Sequence, residues 1–337
     1  MEDGDLDLLN PFQRDFPLTS RPFQVIADQL GQREEQVLQT LRRLQQAGKV
    51  SRVGAVFATR RLGVSTLAAL AVPPAQLEAV AQWINAYPEV NHNYEREHAF
   101  NLWLVLTATS TPRLQTILTE IHNTTRLPLL DLPLIEEFHI DLGFDLRTGR
   151  RRVAHPPEIS PEPLTLRPDD QALLAALQPG LPLVARPYYV LAESLGRSEC
   201  AVLEKLRDWL RQGVIKRLGI IVRHRELGYR ANAMVVWDIP DAEVSAVGRV
   251  LATESGVNLC YRRPRRLPHW RYNLFCMMHG RQRAEVLNRI EQVRIDYGLT
   301  AYPYAALFST RCFRQRGAYY LPPAPDVPPF PRMMSTT

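Results

Sequence analysis

The sequence predicts an α+β chain built as a tandem duplication, each copy a winged helix-turn-helix followed by a ferredoxin-like βαββαβ module. Three observations predict it. Pro17–Gly63 laid over Pro182–Gly228 without a gap gives 19 identical positions in 47, among them Arg21-Pro22 with Arg186-Pro187 and Leu30-Gly31 with Leu195-Gly196. Farther on, Val90-Asn91, Tyr94 and Arg96 match Val257-Asn258, Tyr261 and Arg263, and Phe100-Asn101-Leu102-Trp103 matches Tyr272-Asn273-Leu274-Phe275, with five extra residues in the second copy between the two blocks. Within each copy the apolar spacing also changes from a helical period to alternation and back.

The elements follow in order. Phe23, Ile26, Ala27 and Leu30 mark a short amphipathic helix, Gly31 a tight turn, and Val37, Leu38, Leu41 and Leu44 a second helix that stops at Ala47-Gly48. Val50–Phe57 alternates as a strand of a wing that Arg61-Leu62-Gly63 closes, and Val214–Val222 with Glu226-Leu227-Gly228 repeats it. A strand over Thr66–Val72, a helix over Ala75–Tyr87, strands over Val90–Arg96 and Phe100–Leu106, a helix over Pro112–Asn123 and a strand over Leu129–Ile140 complete the first copy. The second repeats this order from Ala231 to Arg311. Residues 154–168 hold five prolines and cannot sustain a helix or an inner strand. The domains are therefore 1–63 and 169–228 (winged helix-turn-helix), 64–153 and 229–320 (αβ modules), a linker at 154–168 and an extended proline-rich tail at 321–337.

Composition narrows the function. Lys+Arg 41 against Asp+Glu 35 gives a net charge of +6, which favours a polyanionic partner, and only Lys49, Lys205 and Lys216 are lysines. Arginine's planar fork takes carboxylate and phosphate bidentately, so the bias suits specific oxyanion capture, and a GC-rich codon bias gives the same composition. No stretch approaches the roughly 20 apolar residues of a membrane helix, and the acidic Met-Glu-Asp-Gly-Asp start is unlike a secretory signal, so a cytoplasmic protein is expected, without a membrane partner. Cys200, Cys260, Cys276 and Cys312 lie far apart without a C-x-x-C, which points to reduced thiols and no metal site.

This architecture resembles the AsnC/leucine-responsive regulators over nearly the whole of each copy. A narrower resemblance lies in Asn91-His-Asn-Tyr-Glu-Arg-Glu-His-Ala-Phe-Asn-Leu-Trp103 and in Tyr261–Gly280, which are similar to strands of the siroheme decarboxylases, in their fused NirD-NirL type. That resemblance implies an AsnC-like fold and a carboxy-lyase that removes CO2 from two acetate arms of siroheme, giving 12,18-didecarboxysiroheme for heme d1 biosynthesis. It also implies a pseudo-heterodimer in one chain, open to further oligomerisation, with other heme d1 pathway proteins as candidate partners. No cofactor beyond the iron tetrapyrrole substrate is expected, because the macrocycle can hold the developing charge.

The residues themselves suit such a substrate. Siroheme carries eight carboxylates, each costly to bury unpaired, and Arg262, Arg263, Arg265, Arg266 and Arg271 cluster on one hairpin that copy one answers with Arg96 only. The alternative is a solvated or phosphate-gripping basic hairpin. Alternation puts Tyr94, Arg96 and His98 on one face, a proton donor beside a carboxylate anchor. The resemblance implies key work for histidines, and His98 matches the motif. His224, His269 and His279 are the copy-two candidates for the complementary histidine, and the sequence leaves the choice among them open; His92, His122, His139 and His155 read as ordinary. Tyr272, equivalent to Phe100, is core packing or an aromatic floor under the macrocycle.

A DNA-binding AsnC-type regulator is the rival function, and a heme-binding sensor or chaperone a third. A recognition helix should not be acidic in its first turns. Copy one has Gln32-Arg-Glu-Glu-Gln36 there and copy two Arg197-Ser-Glu-Cys200, and where such regulators present an arginine pair this chain has Gln39-Thr40 and Glu204-Lys205. No specific DNA partner is expected.

Overall fold

The structure, a computed structural model, describes residues 3–140, 143, 145–148, 164–318 and 320. The expected linker, up to residue 163, and the tail from 321 lie outside them. Copy one runs α1 (Asp3–Leu9), α2 (Pro22–Leu30), α3 (Glu34–Gln46), β1 (Val50–Phe57), α4 (Thr59–Leu62), β2 (Val64–Leu70), α5 (Leu77–Ile84), β3 (Val90–Arg96), β4 (Leu102–Ala108), α6 (Thr111–Thr125), β5 (Leu129–Pro133) and β6 (Glu136–Ile140). Copy two runs α7 (Pro168–Leu177), α8 (Pro187–Ser194), α9 (Glu199–Arg211), β7 (Ile215–Val222), β8 (Ala231–Trp237), α10 (Val244–Leu251), β9 (Leu259–Arg262), β10 (Leu274–Gly280), α11 (Arg283–Asp296) and β11 (Tyr304–Gln315). The chain divides into two compact units that cut across the copies: a helical unit of Met1–Leu62 with Leu142–Arg230, and a sheet unit of Gly63–Asp141 with Ala231–Thr337.

In the helical unit, α2 and α8 each begin with proline, whose missing N–H is no loss in a first turn. Gly31 and Gly196, at φ +64 and +63, make the left-handed turns into α3 and α9 that a side chain would resist. The expected wings take a different form. β1 and β7 pair antiparallel with each other, Gly54 opposite Gly219, so each copy lends one strand to a shared ribbon. The reason is that neither copy has a second strand before its module among the described residues, and the ladder partners of β1 and β7 lie across the duplication. A Cβ at Gly219 would fall 2.0 Å from the Gln13 carbonyl oxygen, so glycine is required where this segment crosses the ribbon.

The sheet unit is one nine-stranded sheet in the order β5-β2-β4-β3-β11-β8-β10-β9-β6. Its last strands are exchanged. The expected single strand Leu129–Ile140 is broken after Pro133, so that β5 pairs with β2 of its own copy while β6 pairs with β9 of the other. β11 does the same without a break, its first half on β8 and its second on β3. Since only Leu134 and Ile135 join β5 to β6 at opposite ends of the order, the sheet wraps round on itself. Its outer faces are covered by α5 and α6 over Leu70, Leu102 and Leu104, and by α10 and α11 over Val235, Leu274 and Cys276. Its inner face encloses a third core from both copies, including Leu67, Trp103, Tyr261, Trp270, Phe275 and Leu307. Each such fully buried side chain contributes roughly 1.5–3 kcal/mol.

Candidate active site

β3 projects His92, Tyr94 and Arg96 into that interior, since Tyr94 and His92 lie opposite Trp103 and Val105, while Asn93 turns outward to donate to the Ala81 carbonyl. Arg96 is 8% exposed. Its Nη1 donates to the Leu307 carbonyl at 3.0 Å, and its guanidinium lies 5.6 Å from the Tyr94 ring centre. Among the described residues no carboxylate pairs with it, and its Nε has no hydrogen-bond partner. Burial pushes its pKa down. Arg263 mirrors it across the duplication: it donates to the carbonyl of Leu132, the counterpart of Leu307, and stacks 4.6 Å over Tyr261. Burial pushes the Tyr261 phenol up, while the two arginines pull it down.

His279, on the same face of β10 as Phe275 and Met277, is buried with Nδ1 2.8 Å from Asn258 Oδ1. Burial, and then the charge of Arg96, push its pKa to about 4. The same two causes bring His92, stacked on Tyr94 at 5.9 Å, to about 4. Both imidazoles are therefore neutral near pH 7, and the charge facing this interior is the arginines'.

His98 departs from the expected alternation. β3 ends at Arg96, and His98 sits in the bend that follows, so strand parity does not place it. The Phe100 N–H donates to its Nδ1 at 3.0 Å, and the ring meets Trp270 edge-on at 5.3 Å. With Nδ1 accepting, the neutral ring keeps its proton on Nε2, and partial burial holds the pKa below its ordinary value. Trp270 lies in the segment of copy two, 264–271, that carries five extra residues. It is 1% exposed and contacts Trp103 at 5.2 Å and Tyr272 at 5.0 Å, which places half-buried Tyr272 at the rim of the aromatic core.

The basic hairpin is not a row of open grips. Arg265 bonds Asp238 at 2.8 Å and Asp241 at 2.6 Å, Arg271 bonds Asp238 at 2.7 Å, and Arg262 reaches Asp241 at 3.4 Å. Arg262 and Arg265, expected to hold substrate carboxylates, are each paired here with acidic side chains of the chain itself. An open depression of about 530 Å3 lies on this network, lined by Asp238, Arg265, Leu267, Pro268 and Arg271, away from the buried arginines. His269 is exposed on the same loop, with only its backbone N–H bonded, to the Arg266 carbonyl. His224 belongs to the helical unit, buried in the turn after β7. The sheet unit thus gathers Tyr94, Arg96, His98, Arg263, Tyr272 and His279, and holds Arg262 and Arg265 in ion pairs with Asp238 and Asp241. Sequence reading passed over His92, although its parity with Arg96 was visible, and Trp270, the one large apolar ring among the hairpin arginines.

In the helical unit both recognition-type helices open on tied acidic groups. Glu34 of α3 pairs with Arg21, and Glu199 of α9 pairs with Arg186 at 2.6 Å and accepts from Ser20 at 3.0 Å.

Comparison with known proteins fits this architecture. A model of the siroheme decarboxylase NirDL-like HTH domain matches residues 5–50 and 170–216, and one of the AsnC-like ligand binding domain matches 61–139 and 226–314. The siroheme decarboxylase NirDL subunit of Paracoccus pantotrophus is 46% identical, covering 94% of this chain and 97% of its own. The NirL subunit of Stutzerimonas stutzeri is 53% identical over 45% of this chain and 89% of its own. A crystal structure of a siroheme decarboxylase NirDL with an iron-uroporphyrin III analogue superposes at TM-score 0.68 and 32% identity, covering 95% of each chain.

Proposed function

The chain belongs to the siroheme decarboxylase NirDL family, and on that premise we propose that it is a carboxy-lyase removing CO2 from two acetate arms of siroheme. Arg96 carries the reading. A guanidinium buried without a carboxylate partner among the described residues is costly in a protein that binds nothing there, and an anionic ligand with many carboxylates offsets that cost. Arg263 and Tyr261 line the same interior, and His98 stands at the end of the strand that carries Arg96.

Each step balances without an added organic cofactor. The C–C bond to the leaving carboxylate breaks, CO2 departs, and the electron pair remains on the methylene carbon, delocalised into the macrocycle. A proton then converts that carbon to a methyl group. His98 supplies it from Nε2 as the imidazolium, which carries a proton on both nitrogens; the bond that Nδ1 accepts from the Phe100 N–H belongs to the neutral resting ring and is released when the ring is protonated. Burial makes the imidazolium a stronger acid at the moment of transfer, at the expense of its population. Tyr94, with Arg96 over its ring, stands beside the anchored arm, and His279 is the copy-two histidine this geometry favours over His224 and exposed His269. The product, didecarboxysiroheme, suits the heme d1 pathway.

A DNA-reading role is disfavoured, since the acids opening α3 and α9 are held where phosphates would approach. No helix among the described residues is long and apolar enough to cross a membrane. We place the reaction in the cytoplasm as part of this proposal. Anaerobic incubation of the purified protein with siroheme, followed by pigment mass spectrometry, tests it: two successive losses of CO2 are expected. An unchanged pigment with folded protein would sink the proposal.

A further inference from the structure

The bend that carries His98 is held from a distance, and we propose that Arg283, acting through Glu97, is a positioning residue for His98; this rests on the reading of His98 as proton donor. Glu97 is the first residue past β3. Its N–H donates to the Phe308 carbonyl at 3.0 Å, and its carboxylate takes both guanidinium nitrogens of Arg283 at 2.8 and 2.7 Å. The guanidinium carbon lies over the Phe308 ring, 3.9 Å from its centre. A planar two-point pair over an aromatic face fixes direction as well as distance.

Two features single this clamp out. Arg283 is the first residue of α11, where the helix dipole disfavours a cation, so propensity does not account for it. In addition, the clamp, which joins Glu97 of copy one to Arg283 of copy two, has no charged counterpart across the duplication. Aligned through Tyr94 with Tyr261 and through Asn101 with Asn273, the positions of Glu97 and Arg283 are Pro264 in copy two and Thr111 in copy one. Of the two equivalent strand ends, the one held by the clamp is the one that His98 follows. Once the Phe100 N–H and the Trp270 edge fix the imidazole within the bend, the aim of Nε2 depends on where the bend sits, and Glu97 sets that.

The test measures kcat and KM for siroheme in Glu97→Gln, Arg283→Gln, the exchanged pair Glu97→Arg with Arg283→Glu, and each single change combined with His98→Ala. Misplacement of a catalytic group by about 1 Å costs up to about 100-fold, so a loss of about tenfold in kcat is expected, with KM within twofold. The exchanged pair should regain most of it, and neither change should lower the residual rate of His98→Ala. A raised KM at unchanged kcat would make Arg283 a substrate grip and overturn the inference. A further loss on top of His98→Ala would equally overturn it, since the action would bypass that histidine. Wild-type kcat in Glu97→Gln and Arg283→Gln beside a disabled His98→Ala would remove the inference alone, whereas wild-type kcat in His98→Ala would remove the reading of the site and this inference with it.

Discussion

Replacing Arg96 by methionine should separate two opposite effects of one side chain. In the free protein the guanidinium is buried without a carboxylate partner among the described residues, at a desolvation cost of several kcal/mol. Against this stand one charged hydrogen bond to Leu307, worth about 1.5–3 kcal/mol, and a cation over Tyr94 worth about 0.5–1 kcal/mol. The sum is near zero or unfavourable, so Arg96→Met, which keeps the length and apolar bulk, should leave thermal stability unchanged or slightly raised. With siroheme bound the sign reverses, because a buried carboxylate loses its charged partner at about 2–5 kcal/mol. The dissociation constant should rise at least tenfold, and the stabilisation that siroheme gives should shrink to match. Thermal unfolding with and without siroheme, beside a spectroscopic titration, reads both. If Arg96→Met unfolds far more easily while binding siroheme as tightly as before, the arginine is a brace between strands and the anchor lies elsewhere.

Three further outcomes are expected. His98→Ala should lower kcat at least 100-fold with a much smaller change in binding, as a positioned acid contributes about 10²–10⁴; near wild-type turnover would send the search for the donor to Tyr94 or His279. Arg265→Ala should leave siroheme affinity within about threefold, since Asp238 and Asp241 already meet its charge, and a loss comparable to that of Arg96→Met would show those ion pairs open for substrate. His279, lowered from its ordinary 6.5 to about 4, is neutral in the folded chain but protonates once unfolded, so its contribution is complete above pH 6.5 and lost as pH falls towards about 4. The loss reaches at most about 3 kcal/mol, and His279→Gln should flatten melting temperature against pH over that window; an unaltered slope would contradict the assignment.

What the sequence disclosed and what it withheld follow the range of the interactions concerned. The apolar spacing of Val37, Leu38, Leu41 and Leu44 and the turn at Gly31 are local, and α3 and its entry match the expectation closely. Strand β3 has the expected bounds because its alternation lies within seven residues. Partner choice is not local: nothing in Val50–Phe57 names Ile215–Val222 as its mate, or in Glu136–Ile140 the edge of β9. The pairing of the arginine hairpin is hidden for the same reason. Asp238 and Asp241, which pair with Arg262, Arg265 and Arg271, lie on another segment, and the sequence displays a cluster of charges without displaying their partners. His98 lies beyond the end of β3, next to Glu97, whose partner Arg283 is 186 positions away.

The exchange of final strands bears on how such a protein comes into being. In half-length relatives the two copies are separate polypeptides, and with this topology each alone would carry an unpaired edge on its third strand and an orphaned end to its last. Such edges template aggregation when left bare. Joining the halves turns a bimolecular encounter into an intramolecular one, with an effective concentration that dilution cannot reduce. A fused gene also fixes equal dosage of the two halves, so neither is made in excess with its edges exposed. A damaging substitution in β6 would then unsettle the half it visits as much as the half that encodes it, and selection would act on the two copies as a single unit even as their sequences drift apart.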